Sequence, residues 1–490
     1  MGLMRFVLPP DRISEESVQQ TYLSGMDRVP WPARIRQGDG ELVIERAVSD
    51  SGNLCIPWPV EGHGLVALST GTLMERPDPY HLPLELARGK IGQVRNQLAD
   101  WRMIGLLIPA EVQQKVADAT VQLSRSAVAP QGGSASIEQA ELAIRTALDA
   151  AYLLAGCYTE QALSIRRRNA AKLNSFLGAN LGVSLLDDYT AREFLQAFSA
   201  AGVPVCWREI ETGEETFSWD IADRQVQWCA THGLRVCAGP LLQLDARGIP
   251  DWLSLYEEDF DSVLAFATAF VEAAVTRYRG KVDLWICASR INTAKILSLT
   301  EEENVRLSAR AVELTRNLDP STPVVVSFDQ PWGEYLGRKE MEFPPLHFAD
   351  ALVRANLGLS GVMLEMNVGS APGTTPLRDP LEVSRHLDYW SMLGVPLYLS
   401  LCVPSESHAD PLALRQSRTT AGGWSPKFQQ AWVQRYVPLL LAKPYVQGIL
   451  WNQLRDAEPH DFPYAGLFDL RRHPKPALRL LASIRTAHLK

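Results

Sequence analysis

Residues 262–290 read SVLAFATAFVEAAVTRYRGKVDLWICASR, an amphipathic helical stretch over 262–278 followed by a short, strongly apolar strand over 282–288. The same unit recurs from Asn174 to the end of the chain. Strands are expected over 175–180, 204–207, 235–239, 282–288, 323–328, 361–365, 396–401 and 446–451. The helices between them include 191–201, 220–232, 262–278, 301–317, 380–392 and 427–441. Apolar strands alternating with amphipathic helices argue for a parallel sheet, and eight such units argue for its closure. The expected fold is therefore α/β, a (β/α)8 TIM barrel over 174–490, whose site must lie where strands end and βα loops begin.

Upstream, the pattern changes twice. Short strands at 4–8, 33–36, 41–46, 54–57 and 65–69, separated by Gly-, Pro- and Asp-rich turns, make 1–83 a small β-module, possibly a sandwich. Helical periodicity over 84–101, 110–126 and 137–172, with a loop at 129–136, makes 84–173 a helical arm.

Apolar residues at 46% and charged residues at 21% allow a large buried core. The net charge of -8 comes without any block of like charge, which argues against nucleic acid and anionic membrane as partners. Neither the apolar run of a secretory signal nor a stretch of about 18 apolar residues occurs, so a cytoplasmic protein is expected. The seven cysteines, at 55, 157, 206, 229, 237, 287 and 402, show no CxxC and no metal-ligand spacing. They are expected to be reduced and buried, with no metal and no cofactor.

Several segments resemble the catalytic barrel of glycoside hydrolase family 10, best known for endo-β-1,4-xylanases. They are Trp207-Arg208-Glu209-Ile210-Glu211 with Gly213, Phe217, Trp219 and Asp223; Gly233 and Ile249-Pro250-Asp251-Trp252; Arg277-Tyr278-Arg279-Gly280-Lys281-Val282 with Trp285; and Trp451, Gly466-Leu467-Phe468-Asp469 and Lys475-Pro476-Ala477. These matches fall in the family's order along 175–484. The resemblance implies a barrel that acts on a β-linked glycan. It also implies departures: Arg290 stands at the acid/base Glu, and Ser400, or Leu401 in a shifted register, at the nucleophile. Gly202, Val203, Cys206, Trp207 and Gly239 replace most of the family's contacts to the sugar at the cleavage point. A retaining glycosidase needs two carboxyl groups about 5–5.5 Å apart, and arginine stays protonated to about pH 12. The inherited mechanism cannot run on these residues.

Three carboxylates are candidates for a rebuilt pair. Glu365 ends the sixth strand, and its bland alternative is a structural ion pair with Arg290. Asp329 follows the fifth strand and could equally bond a sugar hydroxyl or hold its loop. Glu209 leaves the second, beside Glu211, which suits a turn-shaping role; Glu334 is a further option. Arg290, Asn180, Asn292, Trp332, Trp451 and Asn452 are candidate substrate contacts, with Trp252 less so. Aromatic faces stack on sugar rings, and amides suit hydroxyl groups or cap turns. His460 and Asp461 lie in the last loop, and 369–375 (GSAPGTT) is expected to be a long loop over the site. Two functions remain open: hydrolysis of a β-linked glycan or oligosaccharide through a rebuilt site, or non-catalytic carbohydrate binding or assembly on a degenerate barrel.

Overall fold

The computed structural model describes residues 2–9, 12–38, 40–130, 132–169, 171–338, 341–369, 373–415 and 423–490. Residue 131 of the first expected loop and 370–372 of the second lie outside them.

Eight parallel strands close a barrel: β1 Phe176–Asn180, β2 Ala200–Val203, β3 Arg235–Ala238, β4 Leu284–Ser289, β5 Val324–Asp329, β6 Gly361–Asn367, β7 Leu397–Cys402 and β8 Val446–Trp451. Closure is explicit in the pairing, since β8 lies beside β1 through Ile449↔Leu177 and β3 lies beside β4 through Cys237↔Leu284. A two-residue strand, Leu242–Gln243, extends the sheet at Ala288 and Ser289. Side chains alternate across each strand, so one set fills the barrel axis. Phe176, Ala200, Cys237, Leu284, Ile286, Val325, Met363, Tyr398 and Leu450 form that inner cluster. Their outward neighbours pack against the helices in the main core.

The second strand departs from expectation. It is Ala200–Val203, not 204–207, and its preceding helix is Asp188–Ala197, not 191–201. Ala-Ala-Gly-Val carries little apolar signal because the barrel is tight there: a Cβ on the inward Gly178 of β1 would sit 2.6 Å from the Ala200 carbonyl oxygen. Trp207, expected to end the strand, instead opens a helical turn, Trp207–Ile210, after Pro204. Two barrel helices absent from the expected set, Pro345–Arg354 and Pro476–His488, each open on a proline, whose missing N–H costs nothing in a first turn.

The first residues form two four-stranded sheets. One runs Ala33–Gly38, Glu41–Arg46, Gly2–Val7, Tyr80–His81, and the other Pro30–Trp31, Tyr22–Ser24, Asn53–Val60, Gly64–Ser69. Alternation along Glu41–Arg46 buries Leu42 and Ile44, which join Ile56 and Trp58 of the second sheet in one core. Helices Leu82–Met103, Ala110–Val128 and Ser134–Asn169 follow. Val94, Trp101, Val112 and Leu154 from these helices enclose Leu381 of the barrel helix Pro380–Trp390. The second sheet also reaches the barrel, where Ala67 N–H donates to the Leu377 carbonyl at 2.7 Å. Six cysteines are buried and Cys157 is half-buried, and all seven are free thiols. Among the described residues no helix is long and apolar enough to cross a membrane.

Candidate functional site

The inward positions of adjacent strands lie in register, so the layers above the apolar plug can be read directly from the pairing. Ser327 pairs with Met363, and Asp329 with Glu365, which pairs in turn with Ser400. The plug of Val325, Met363 and Tyr398 gives way toward the C-terminal ends to Ser327, Asp329, Glu365, Asn367 and Ser400, all buried. Polarity begins where the helices stop covering the strand ends, which is where a barrel carries its chemistry.

Arg290 organises this layer. It follows β4 in a left-handed conformation (φ 58°), an uncommon backbone for a side chain with a Cβ, and is 4% exposed. Its guanidinium donates to Asp245 Oδ2 at 2.6 Å and Glu365 Oε2 at 3.2 Å, and pairs with Asp461 Oδ2 at 2.7 Å. Arg247 binds the other Asp461 oxygen at 3.1 Å, and Arg415 lies 3.9 Å from both Asp245 and Asp329. Glu365 also accepts from Ser327 Oγ at 3.0 Å and Asn367 Nδ2 at 3.3 Å. Asn367 Nδ2 lies 3.4 Å from Asp329 Oδ1, so one amide bridges the two carboxyl groups.

This crowding divides the carboxyl groups. Burial and then repulsion from Glu365 push Asp329 up to about 7, against the pull of Arg290 and Arg415. Asp461 and Asp245 are half-buried, and there the arginines outweigh the desolvation, so both are held below the usual carboxylate range.

A cavity of about 170 Å³ opens above the layer, lined by Asn180, Glu209, Arg290, Glu365, Ser400 and Asn452 among others. Asp329, Asn292, Trp451, Trp332, Trp252 and Glu334 do not line it. Asp329 is buried outside its wall, 1% exposed. Asn292 is buried and exchanges hydrogen bonds with the Asp329 backbone, donating at 2.8 Å and accepting at 3.1 Å. Trp451 is buried with its indole N–H on the Ala465 carbonyl at 2.9 Å. Trp332 is turned away from the mouth, one face stacked on His386 at 4.1 Å and Arg378 lying over its ring. The aromatic contacts expected of Trp451 and Trp332 therefore do not form a platform at the mouth. Both were read from their place at strand ends, but their surroundings cover their faces. Trp252 donates to the Glu211 carbonyl at 3.3 Å and packs on Trp207 and Phe266, while Glu211 accepts from Trp207 Nε1 at 2.7 Å and holds its turn. Leu401 is buried on the opposite face from Ser400. His460 lines the cavity, pinned by Asp410 at 2.9 Å. Glu334 is buried and paired with Arg378 at 2.9 Å, outside this cavity.

Sequence reading missed Asp245, Arg247, Arg415, Ser327 and Asn367. Only Asn367 and Ser327 carried a usable signal, since each lies two residues from a candidate on the same strand and therefore shares its face. Among the described residues no group of His, Cys, Asp and Glu is placed to hold a metal ion.

No family model matches the sequence, and no curated protein matches it. Among solved structures the chain is similar to native xylanase 10B from Thermotoga maritima, at 14% identity over 65% of this chain and 97% of that one, with a TM-score of 0.49. It is similar to xylanase 10B from Thermotoga petrophila in complex with xylobiose, at 15% identity over 65% and 97%, with a TM-score of 0.48. The intracellular xylanase of Thermoanaerobacterium saccharolyticum gives 16% identity over 63% and 95%, with a TM-score of 0.47. The barrel itself is established by the strand pairing of this chain.

Proposed function

We propose that this chain is a carbohydrate-binding barrel of glycosidase type, which holds a β-linked oligosaccharide at its mouth and lacks the proton donor needed to cleave it. One observation carries the reading: among the described residues, no side chain in the cavity wall is both free of other partners and able to deliver a proton at neutral pH, His460 included, whose ring nitrogens meet the Glu458 carbonyl at 2.6 Å and Asp410 at 2.9 Å. A general acid must come within about 2.6–3.2 Å of the leaving oxygen. Arg290 lines the cavity but cannot give up its proton. Asp461 lines it but is held below the usual range by its arginines. Glu458 is spent on Ser184 Oγ and Arg455, and Glu365 on three donors. Glu209 stands exposed at the rim, with nothing to bury it. Asp329 keeps a proton up to about 7 but is buried outside the cavity wall. The amides of Asn180 and Asn452 in the wall can still meet sugar hydroxyls.

The Asp329–Glu365 pair favours a second reading, hydrolysis with Glu365 as nucleophile or base and Asp329 as acid, because paired carboxyl groups driven apart in acidity are how such sites divide their roles. It requires Asn367 and Arg415 to give way and open Asp329 to the cavity.

Leaving-group dependence separates the two. General acid catalysis is worth about 10²–10⁴-fold, and a dinitrophenyl leaving group needs none of it. The expected outcome is no turnover of xylo- or cello-oligosaccharides, with at most slow release from dinitrophenyl β-glycosides that disappears in Glu365→Gln. Turnover of an unactivated oligosaccharide that is lost in Asp329→Asn would establish the second reading instead.

A further inference from the structure

A second cavity, of about 380 Å³, lies between the N-terminal strands Tyr22–Ser24 and Asn53–Val60, the start of helix Leu82–Met103 and the barrel helix Pro380–Trp390. It shares no lining residue with the mouth and falls in the size range of small-molecule sites.

Most charges in its wall are spent. Lys90 pairs with Asp379 at 2.6 Å, Arg378 with Glu334 at 2.9 Å, and Arg88 with Glu85 at 2.8 Å. Asp27 accepts from Val29 N–H at 3.1 Å. Two cations are not spent in this way. Arg28 is half-buried and has no side-chain partner among the described residues, and Arg385 is held only loosely by Glu382, at 3.5 Å.

His386, which follows Arg385 on the same helix, lines the cavity with both arginines and is 6% exposed. Its Nε2 is 2.9 Å from Trp390 Nε1 and 3.0 Å from the Pro331 carbonyl. An indole N–H only donates and a carbonyl only accepts, so one ring nitrogen cannot serve both. A buried N–H is the rarer group to leave unpaired, and Trp390 is fully buried. Nε2 therefore accepts from Trp390, and the neutral ring carries its proton on Nδ1. That nitrogen has no partner among the described residues, and the ring lines the cavity. Stacking against Trp332 fixes its orientation.

We infer that this cavity binds the oxyanion of a small organic ligand, a carboxylate or a phosphate, received by Arg28, Arg385 and the Nδ1–H of His386. Acidity agrees with the geometry. Burial, then Arg378 and Arg28, hold His386 well below its usual value, so it offers a neutral N–H. Burial lowers Arg385 as well, opposed by Glu382 and reinforced by the like charge of Arg28, a repulsion that a bound anion offsets.

The inference is independent of sugar binding at the mouth, and titration calorimetry of the full chain at low salt tests it with inorganic phosphate and glucuronate as probes. Saturable binding of either anion is expected. Phosphate alone or glucuronate alone identifies the source chemistry. Arg28→Gln and Arg385→Gln should each weaken binding about tenfold, as loss of a charge-assisted hydrogen bond does, whereas Glu365→Gln should leave it unchanged. Arg28 is only half-buried, so its variant tests the site even if a change at His386 disturbs the fold. Absence of saturable binding by both anions overturns the assignment, as does undiminished binding in both arginine variants or a loss confined to Glu365→Gln.

Discussion

Replacing Arg290 by methionine is expected to cost about 3–5 kcal/mol of folding stability at neutral pH, because removing one partner of a buried ion pair strands the other. Here one guanidinium serves Asp245, Glu365 and Asp461 together, and Asp329 lies within its field. Asp245 and Asp461 fold with their acidity strengthened, so their contribution to stability is present above the ordinary carboxylate range and is lost as pH falls through their folded values. Arg290 is the main source of that contribution, so wild type and variant should converge in acid. Urea unfolding at pH 7.5 and at about pH 2, below the ordinary carboxylate range, measures this directly. A loss below about 1 kcal/mol at pH 7.5 would mean that the network is solvated rather than buried and structural.

Lys475→Met should be comparably severe, about 3–5 kcal/mol. Its ammonium is buried against the Asp456 carboxylate and also meets Ser405 Oγ at 2.7 Å and the Tyr464 carbonyl at 3.1 Å. Asp456 in turn accepts from Gly466 N–H at 2.7 Å and from Gln453 Nε2 at 3.1 Å, so the pair fixes both ends of the segment whose His460, Asp461 and Phe462 line the mouth. Adding Asp456→Asn removes the stranded charge and should restore a large part of the loss. Thermal unfolding of the two single variants and the double variant measures the coupling, and strictly additive losses would show that the pair does not act as one unit.

How much of this was legible in the sequence follows from how local each signal is. Seven of the eight strands were drawn nearly where they lie because burial on both faces leaves a dense apolar run, as in Leu284–Ser289. The run at Ala200–Val203 was displaced because tight packing there calls for small residues, which read as weak strand. The tryptophans misled for a different reason. A strand-end position suggests an open ring, but Trp451 is buried with its indole N–H on the Ala465 carbonyl, and the Trp332 ring is covered by His386 and Arg378. The Arg290 network was only partly legible: the Glu365 pairing could be named as an alternative, but Asp245 and Arg415 come from loops whose residues follow no period. Lys475 lies within one of the resembling motifs, and its work as the counter-ion of Asp456 is visible only in three dimensions.

The most direct measurement of the central claim is a calorimetric titration of the wild-type chain and of a mouth-blocked variant, Asn452→Trp, with xylo- and cello-oligosaccharides, followed by product analysis of the same samples. The account predicts saturable binding of at least one oligosaccharide by the wild type, loss of that binding in Asn452→Trp, and an oligosaccharide recovered intact. Cleaved sugar in the wild-type sample, or no saturable binding of any member of the panel, would contradict it.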